Sequence, residues 1–161
     1  MMLKISKIVI AILIIYVVYI FGYTLGRQAL NQASSNTEVP LITEINEIRA
    51  AKGVGALTAD PTLDNTARIK AEDMAAKNYF EHNAPDGTPW SDFIYKNRPG
   101  SDGFAENIAQ CYPTNHDTII GWVNSPSHLE NILNPQWTKY GTATVYDDDR
   151  HCYVTVNHFA R

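Results

Sequence analysis

The chain opens with an apolar run that is followed by a polar run. Residues 8–26 (IVIAILIIYVVYIFGYTLG) contain no charged side chain, and Lys4 and Lys7 precede them. These 19 residues would form a helix of roughly 28 Å, which is close to the thickness of a bilayer core. A cleaved signal peptide usually has an apolar core of only about 7–15 residues and a cleavage site between small residues, which residues 29–33 do not offer. The pattern therefore favours an uncleaved membrane anchor.

This anchor predicts how the chain is divided and where it lies. Residues 1–7 would be a cytoplasmic N-terminus, because lysines before a first transmembrane helix tend to stay inside the cell. Residues 8–26 would cross the membrane once. Residues 27–40 (RQALNQASSNTEVP) are polar without apolar periodicity and would form a linker. The domain of residues 41–161 would lie outside the cytoplasm, or be secreted if the N-terminal segment is cleaved.

Four stretches beyond the linker carry helical patterns. LITEINEIRAAKG places its apolar residues on one face and ends at Gly53. The second stretch opens at Asp60-Pro61, a favourable N-cap followed by proline in the first turn, and its alanine-rich stripe runs to about Phe80. The other two are a short helix from Thr88-Pro89 and a helix over residues 116–124.

The end of the chain changes to a strand pattern. YGTATVY and CYVTVNHF alternate side chains, are rich in β-forming residues, and are joined by residues 147–150, so they predict a hairpin. AENIAQCY, at residues 105–112, is short and extended. Because helices come first and strands mostly last, without βαβ alternation, the order favours an α+β layered domain.

The charge and the cysteines of the domain indicate which partners to exclude and which compartment to expect. The chain has a net charge of −4, and since Lys4, Lys7 and Arg27 all precede the domain, the part from residue 34 onward carries 10 − 17 = −7. An acidic domain is poorly suited to neutralising phosphates, so no nucleic-acid partner is expected. The two cysteines, Cys111 and Cys152, each lie in a strand-like run. Outside the cytoplasm a disulfide between them is favoured over two buried thiols.

The candidates for chemistry are histidines and one glutamate. Two histidines have ordinary surface settings and a third would pack, half-buried, in the final strand: His116, His151 and His158. His82 follows the second helix, and His128 follows the helix break Ser125-Pro126-Ser127. Glu106 lies in a short apolar strand, where a carboxylate needs a partner unless it faces solvent. Two imidazoles and a carboxylate suit zinc, but separations of 24 and 22 residues do not by themselves bring these three together.

Three segments together resemble the CAP superfamily, also called the SCP domain or cysteine-rich secretory protein family. They are YFEH at 79–82, AENIA at 105–109 and WVNSPSHLENILNPQWTKYGTA at 122–143, and they look like motifs of bacterial-type members. The resemblance implies a three-layer α-β-α sandwich whose central cleft holds His82, Glu106 and His128 as candidate metal ligands. On this view the helix breaks so that His128 turns back into the cleft.

One departure from the family pattern bears on the metal. Ser125 takes the place, within the cleft, where many eukaryotic members carry a second acidic residue. The remaining His-Glu-His set has less negative charge, so zinc or another divalent cation would be held weakly or not at all.

Three functions remain open. The first is a non-catalytic module that binds a divalent ion, a lipid or a cell-envelope component in the cleft. The second is a zinc-dependent, peptidase-like hydrolase, although no HExxH motif is present and neither Ser125 nor Ser127 lies in a GxSxG turn. The third is a structural or interaction domain, in which the same residues form only a hydrogen-bonded network. We rank binding first and catalysis last, and assign Trp90, Trp122 and Trp137 to packing.

Overall fold

A computed structural model describes residues 16–23, 38–98 and 103–161. The chain divides into two compact units, Met1–Glu38 and Val39–Arg161, and the second contains the folded domain. Within the first, residues 16–23 are helical with exposed side chains. The rest of the expected anchor, and the expected linker up to residue 37, lie outside the described residues. No helix in the described part of the chain is long and apolar enough to cross a membrane. The anchor and the linker boundaries remain predictions.

The domain contains five helices and four strands among its described residues. In chain order they are α1 (Leu41–Ala51), β1 (Thr58–Ala59), α2 (Pro61–Ala76), α3 (Trp90–Tyr95), β2 (Phe104–Gln110), α4 (Asn115–Val123), α5 (Pro126–Leu133), β3 (Lys139–Asp147) and β4 (Cys152–Ala160). The predicted helices and the C-terminal hairpin are all present. β1 was not predicted, because a two-residue strand carries no recognisable alternation.

The helix ends follow local chemistry. Gly53 has a φ of 72° just after α1, a conformation that favours glycine. At the start of α2, the Asp60 side chain accepts a hydrogen bond from the Thr62 backbone N–H at 2.9 Å. The predicted continuation of this helix to Phe80 is wrong. α2 ends at Ala76, because Asn78 takes a left-handed φ of 52° and turns the chain back.

The strands form one mixed sheet in the order β1-β3-β4-β2. β1 pairs in parallel with β3, whereas β3–β4 and β4–β2 are antiparallel. In the β2–β4 ladder Glu106 lies directly opposite His158. The side chains of paired residues project from the same face of a sheet, so this register brings the two together.

Helices cover both faces of the sheet, which confirms the α+β prediction and gives the α-β-α layering. On one face α2 packs against β3 and β4, with an apolar cluster of Ala67, Ala71, Met74, Ala143, Val154 and Val156. On the other face α1, α4 and α5 surround a cluster that includes Ile45, Ala105, Ile119, Trp122, Ile132, Tyr140 and Phe159. β4 is buried along most of its length, as expected for a strand between two helical layers.

Cys111 and Cys152 form a disulfide, as the sequence indicates, with their Cα atoms 4.9 Å apart. The bond joins the end of β2 to the start of β4. Beside it the Cys111 N–H donates to the Tyr153 carbonyl at 2.8 Å, which continues the pairing of the two strands. The disulfide therefore closes the end of the sheet opposite the Glu106–His158 pair.

Candidate functional site

Glu106 is the centre of a buried polar chain. Its Oε2 lies 2.9 Å from His158 Nε2, and its Oε1 lies 2.7 Å from His82 Nδ1. The Glu106 side chain is 1% exposed and that of His158 is fully buried, whereas that of His82 is 48% exposed. The glutamate thus links a cleft-facing imidazole to one inside the domain.

The hydrogen bonds of Glu106 indicate which ring nitrogens of His82 and His158 carry protons. Burial alone would raise the pKa of Glu106, but hydrogen bonds from His158 and His82, together with the charge of Lys70, lower it below its usual value. An ionised carboxylate only accepts hydrogen bonds, so His82 Nδ1 and His158 Nε2 must both carry protons. His158 Nδ1 is in turn 2.9 Å from the Thr66 hydroxyl. Each side chain in this hydrogen-bonded series, from His82 through Glu106 and His158 to Thr66, therefore has a partner.

His158 and Lys70 are two members of this site whose roles the sequence analysis missed. His158, expected to be half-buried and packed, is fully buried and bonded to Glu106; only the strand register reveals this. Lys70 is also fully buried, beside Tyr79 and the backbone of residues 81 and 82. Its position between Ala67 and Met74 on the alanine-rich stripe of α2 was a usable signal, because side chains three and four apart share a helix face.

A cleft of about 270 Å³ opens beside His82 and Glu106. Its other walls are mostly aromatic and apolar, and comprise Trp90, Phe104, Ala105, Asn131 and Trp137. Two of the tryptophans assigned to packing thus also line the cleft, whereas Trp122 is buried in the core and donates to the Ile108 carbonyl at 3.2 Å. Such a mixture of aromatic walls and a few placed polar groups is typical of small-molecule sites.

His128 lies near this cleft but is not among its lining residues. α4 ends at Val123 and α5 begins at Pro126, and the amide of Asn107 on β2 then donates to the His128 carbonyl at 3.1 Å. The His128 Nδ1 atom is buried and has no hydrogen-bond partner in the described part of the chain. Burial lowers the pKa of His128, and the charge of nearby His82 lowers it further. The helix break therefore seats the backbone of His128 against β2.

Ser125 is the fourth residue expected in the cleft. It is half-buried and precedes α5, but its side chain makes no capping hydrogen bond. Its hydroxyl lies 3.4 Å from that of Ser127, and it is not a lining residue. No general base approaches it within hydrogen-bond distance in the described structure, so it lacks the arrangement of an activated nucleophile.

Of the three expected zinc ligands, the structure brings His82 and Glu106 into direct contact. Within residues 16–23, 38–98 and 103–161, no group of three or more His, Cys, Asp or Glu side chains is placed to hold a metal ion. Both Glu106 oxygens already accept hydrogen bonds from imidazoles. A metal ligated directly by Glu106 would have to displace the His82–Glu106 hydrogen bond, so the set of His82, Glu106 and His128 as metal ligands remains a prediction.

The lowered pKa of Glu106 predicts a specific loss of stability in acid. A depressed folded-state pKa contributes stability that is present above the ordinary value of 4.5 and is lost as the pH falls through the lower, folded value. Glu106→Gln should therefore reduce the free energy of unfolding by about 2 kcal/mol near neutral pH. The difference from wild type should shrink below about pH 4.5.

Urea unfolding curves over a pH series measure this difference. Glu72→Gln, which replaces an exposed carboxylate on α2, is the matched control and should leave the unfolding free energy within about 0.5 kcal/mol at each pH. A wild-type advantage over Glu106→Gln that grew in acid would contradict the assigned ionisation.

The family model described as CAP, cysteine-rich secretory protein family, matches residues 42–159. This range covers more than two thirds of the chain and includes the whole cleft. The chain belongs to the cysteine-rich secretory protein (CAP) family. The assignment suggested by the motifs around His82, Glu106 and His128 is thus confirmed.

Two curated relatives of this CAP domain come from Bacillus subtilis. YkwD is 36% identical over 109 residues, which cover 67% of this chain and 42% of YkwD. The membrane protein YlbC is 28% identical over 120 residues, which cover 74% of this chain and 34% of YlbC. The chain therefore spans less than half the length of either relative.

Solved structures show the same CAP fold in bacteria. An outer surface protein from Borrelia burgdorferi superposes with a TM-score of 0.69 at 26% identity, covering 75% of this chain and 89% of that one. An extracellular protein containing an SCP domain from Bacillus anthracis gives a TM-score of 0.66 at 30% identity, covering 75% of this chain and 39% of that one. These relatives support a bacterial-type member.

Proposed function

We propose that this CAP domain is a non-catalytic binding module whose cleft takes up a small, largely apolar ligand such as a lipid or a cell-envelope component. The observation that carries the proposal is the cleft itself, which has aromatic walls at Trp90, Phe104 and Trp137 and a polar side formed by His82 and Glu106. Apolar walls supply affinity by removing ligand surface from water, and the polar side fixes orientation.

The state of Glu106 favours binding over catalysis. A general base must reach the substrate, but the Glu106 side chain is 1% exposed and both of its oxygens already accept a hydrogen bond from an imidazole. His82 is the exception, because its Nδ1 is committed to Glu106 while its ring is 48% exposed. Its Nε2 is thus the atom through which the polar chain would meet a ligand.

We also propose that the domain works outside the cytoplasm, anchored by residues 8–26. Two observations support this location. The anchor segment is an uncharged apolar run preceded by lysines, and the domain contains a disulfide, which persists in oxidising compartments. Relatives are named as a membrane protein, an outer surface protein and an extracellular protein.

Zinc-dependent hydrolysis is the alternative use of the same cleft and remains a prediction. His82 and Glu106 with His128 would be the donors, and a zinc ion held there would supply Lewis-acid chemistry. Calorimetric titration of zinc into wild type, His82→Ala and His116→Ala tests it. His116 is an exposed histidine paired with Glu44, so it controls for adventitious imidazole binding.

The titration separates the alternatives when it is combined with turnover assays. The binding proposal expects no zinc affinity that His82→Ala removes and His116→Ala keeps, and no hydrolysis of peptide, ester or glycan panels. Stoichiometric zinc binding lost in His82→Ala and weakened near pH 5.5, where protons compete for imidazole, together with turnover, would overturn it.

A purely structural role is the other candidate, and one observation favours it. The chain from His82 through Glu106 and His158 to Thr66 is satisfied without a ligand, as a stabilising polar network must be. In that case His82→Ala would lower the melting temperature, and no amphiphile would stabilise wild type more than this variant. Ligand-dependent stabilisation of wild type and His116→Ala, but not His82→Ala, would instead support binding.

A further inference from the structure

We propose that Lys70 is a positioning residue of the cleft, whose buried ammonium group fixes the backbone turn that carries His82 and so holds the His82 ring on Glu106. This inference rests on the proposed function of the cleft. It assigns a role to a buried charged residue on α2 that does not itself line the cleft.

All three N–H donors of the ammonium group are used. Lys70 Nζ donates to the Tyr79 hydroxyl at 3.0 Å, to the Glu81 carbonyl at 2.9 Å and to the His82 carbonyl at 2.6 Å. An ammonium group has three donors and no acceptor, so this site satisfies it completely. The residue is fully buried, and hydrogen bonds to all of its donors offset the cost of removing the ammonium group from water.

Two aromatic rings also lie beside the ammonium group of Lys70. Nζ lies 4.7 Å from the centroid of the Tyr79 ring and 5.1 Å from that of Phe93, within the range of cation–π attraction. The Tyr79 hydroxyl in turn donates to Asp73 Oδ2 at 2.6 Å. These contacts fix the position of the Lys70 ammonium group. The fixed group can in turn restrain the backbone of residues 81 and 82, to which it donates.

After His82 the connection is tied mainly to itself: the Asn83 side chain accepts from the Trp90 N–H at 3.1 Å, and the Ala84 N–H donates to the Thr88 carbonyl at 2.9 Å. At His82 the backbone is tied to α2 through Lys70. α2 ends at Ala76, and the next residues in the chain form no regular element until α3 begins at Trp90. The two carbonyls bound by Lys70 belong to His82 itself and to its neighbour Glu81. Because an imidazole must be oriented for its Nδ1–H to reach the carboxylate, loss of these two bonds should release the ring from Glu106.

The tautomer of His82 reports this orientation without any ligand. In wild type the neutral ring should carry its proton on Nδ1, facing Glu106, and ring ¹⁵N shifts recorded near pH 8, where imidazole is mostly neutral, read this directly. Lys70→Met should lose the Nδ1–H signature of His82 and keep the Nε2–H signature of His158, which is anchored by the sheet. General destabilisation would not discriminate between the two histidines.

Two variants control the measurement. Lys77→Met removes the lysine that directly follows α2, whose side chain is 47% exposed and pairs with Asp73 at 2.7 Å, and it should leave His82 unchanged. Tyr79→Phe removes one acceptor of the ammonium but keeps both carbonyl bonds, and it should also keep the His82 signature. An Nδ1–H tautomer that persists in Lys70→Met, or that is lost equally in Tyr79→Phe, would overturn the proposal.

A measurement on wild type covers the case in which Lys70→Met does not fold. The ammonium protons of Lys70 should exchange slowly and give a ¹⁵N signal coupled across hydrogen bonds to the carbonyl carbons of Glu81 and His82. Absence of that signal would contradict the assigned contacts. Because neither readout uses a ligand, failure here is distinct from failure of the proposed binding function.

Discussion

Replacing Arg49 with methionine is expected to lower the free energy of unfolding by about 4 kcal/mol. The Arg49 side chain is almost fully buried and donates to four backbone carbonyls, those of Gly55, Ile132, Asn134 and Trp137, at 2.7 to 3.1 Å. Methionine fills similar space without a donor, so the carbonyls of Ile132 and Trp137, whose bonds to Arg49 are buried, would lose their partner away from water. Each buried carbonyl left unpaired costs about 1–3 kcal/mol, partly offset because burial of the guanidinium also ends.

The substitution should also disturb the cleft. The carbonyls held by Arg49 include that of Trp137, which lines the cleft and lies in the connection between α5 and β3. Denaturant unfolding measures the stability change. Arg68→Met removes an exposed arginine of α2 and should stay within about 0.5 kcal/mol of wild type. An equally small effect in Arg49→Met would show that the four bonds are not what fixes α1 to the connection.

Gly141→Ala is expected to lower the free energy of unfolding by about 3 kcal/mol. A Cβ atom at this position of β3 would overlap the backbone of Leu63 and Asp64 on α2. Backbone cannot rotate away as a flexible side chain can, so the helix would have to move. The same junction is tied by the Thr142 N–H, which donates to Asp64 Oδ1 at 2.8 Å, and that bond would lengthen too.

Gly55→Ala is the matched control for Gly141→Ala. A Cβ atom at Gly55 meets nothing within 4 Å, and its φ is not in the left-handed region. The control should therefore be neutral, or slightly stabilising because alanine has less conformational freedom in the unfolded chain. Equal melting temperatures for the two variants would contradict the close approach of α2 to β3.

Much of the fold could be predicted, because its elements carry strong local signals. The apolar face from Leu41, the proline after Asp60 and the alternating residues of the hairpin all correspond to observed elements. The end of α2 could not be placed, since the left-handed turn at Asn78 depends on how Tyr79 packs against the sheet. β1 could not be predicted from its own two residues, because this strand is defined only by its pairing with β3.

The candidate site was predictable only in part, for a reason of register. His82 and Glu106 were found through family motifs, and the structure brings them together. The second imidazole bonded to Glu106 is His158, whose role depends on which residue of β2 faces which residue of β4. Spacing along a sequence does not determine that register, so His158 resembled an ordinary packing residue.

Buried charges were missed for a different reason. Arg49 follows Ile45 by four positions and therefore shares its buried helix face, and Lys70 lies on the alanine-rich stripe of α2. In the sequence these two residues interrupt an apolar helix face, although the structure buries both and binds each with several hydrogen bonds. A charged residue on a buried helix face needs hydrogen-bond partners inside the domain. Backbone carbonyls can be those partners, and the pattern of side chains along a sequence does not show where they lie.

The most direct test of the cleft uses the three tryptophans of the chain. Trp90 and Trp137 line the cleft, whereas Trp122 is 1% exposed and buried in the core, so its indole N–H signal is an internal reference. A ¹H–¹⁵N spectrum should be followed while a short-chain lysophospholipid or an envelope lipid extract is titrated below its aggregation threshold. Saturable shifts of the Trp90 and Trp137 signals, with Trp122 unchanged, are predicted. Three unchanged signals, or a Trp122 shift as large as the others, would contradict a binding cleft at this site.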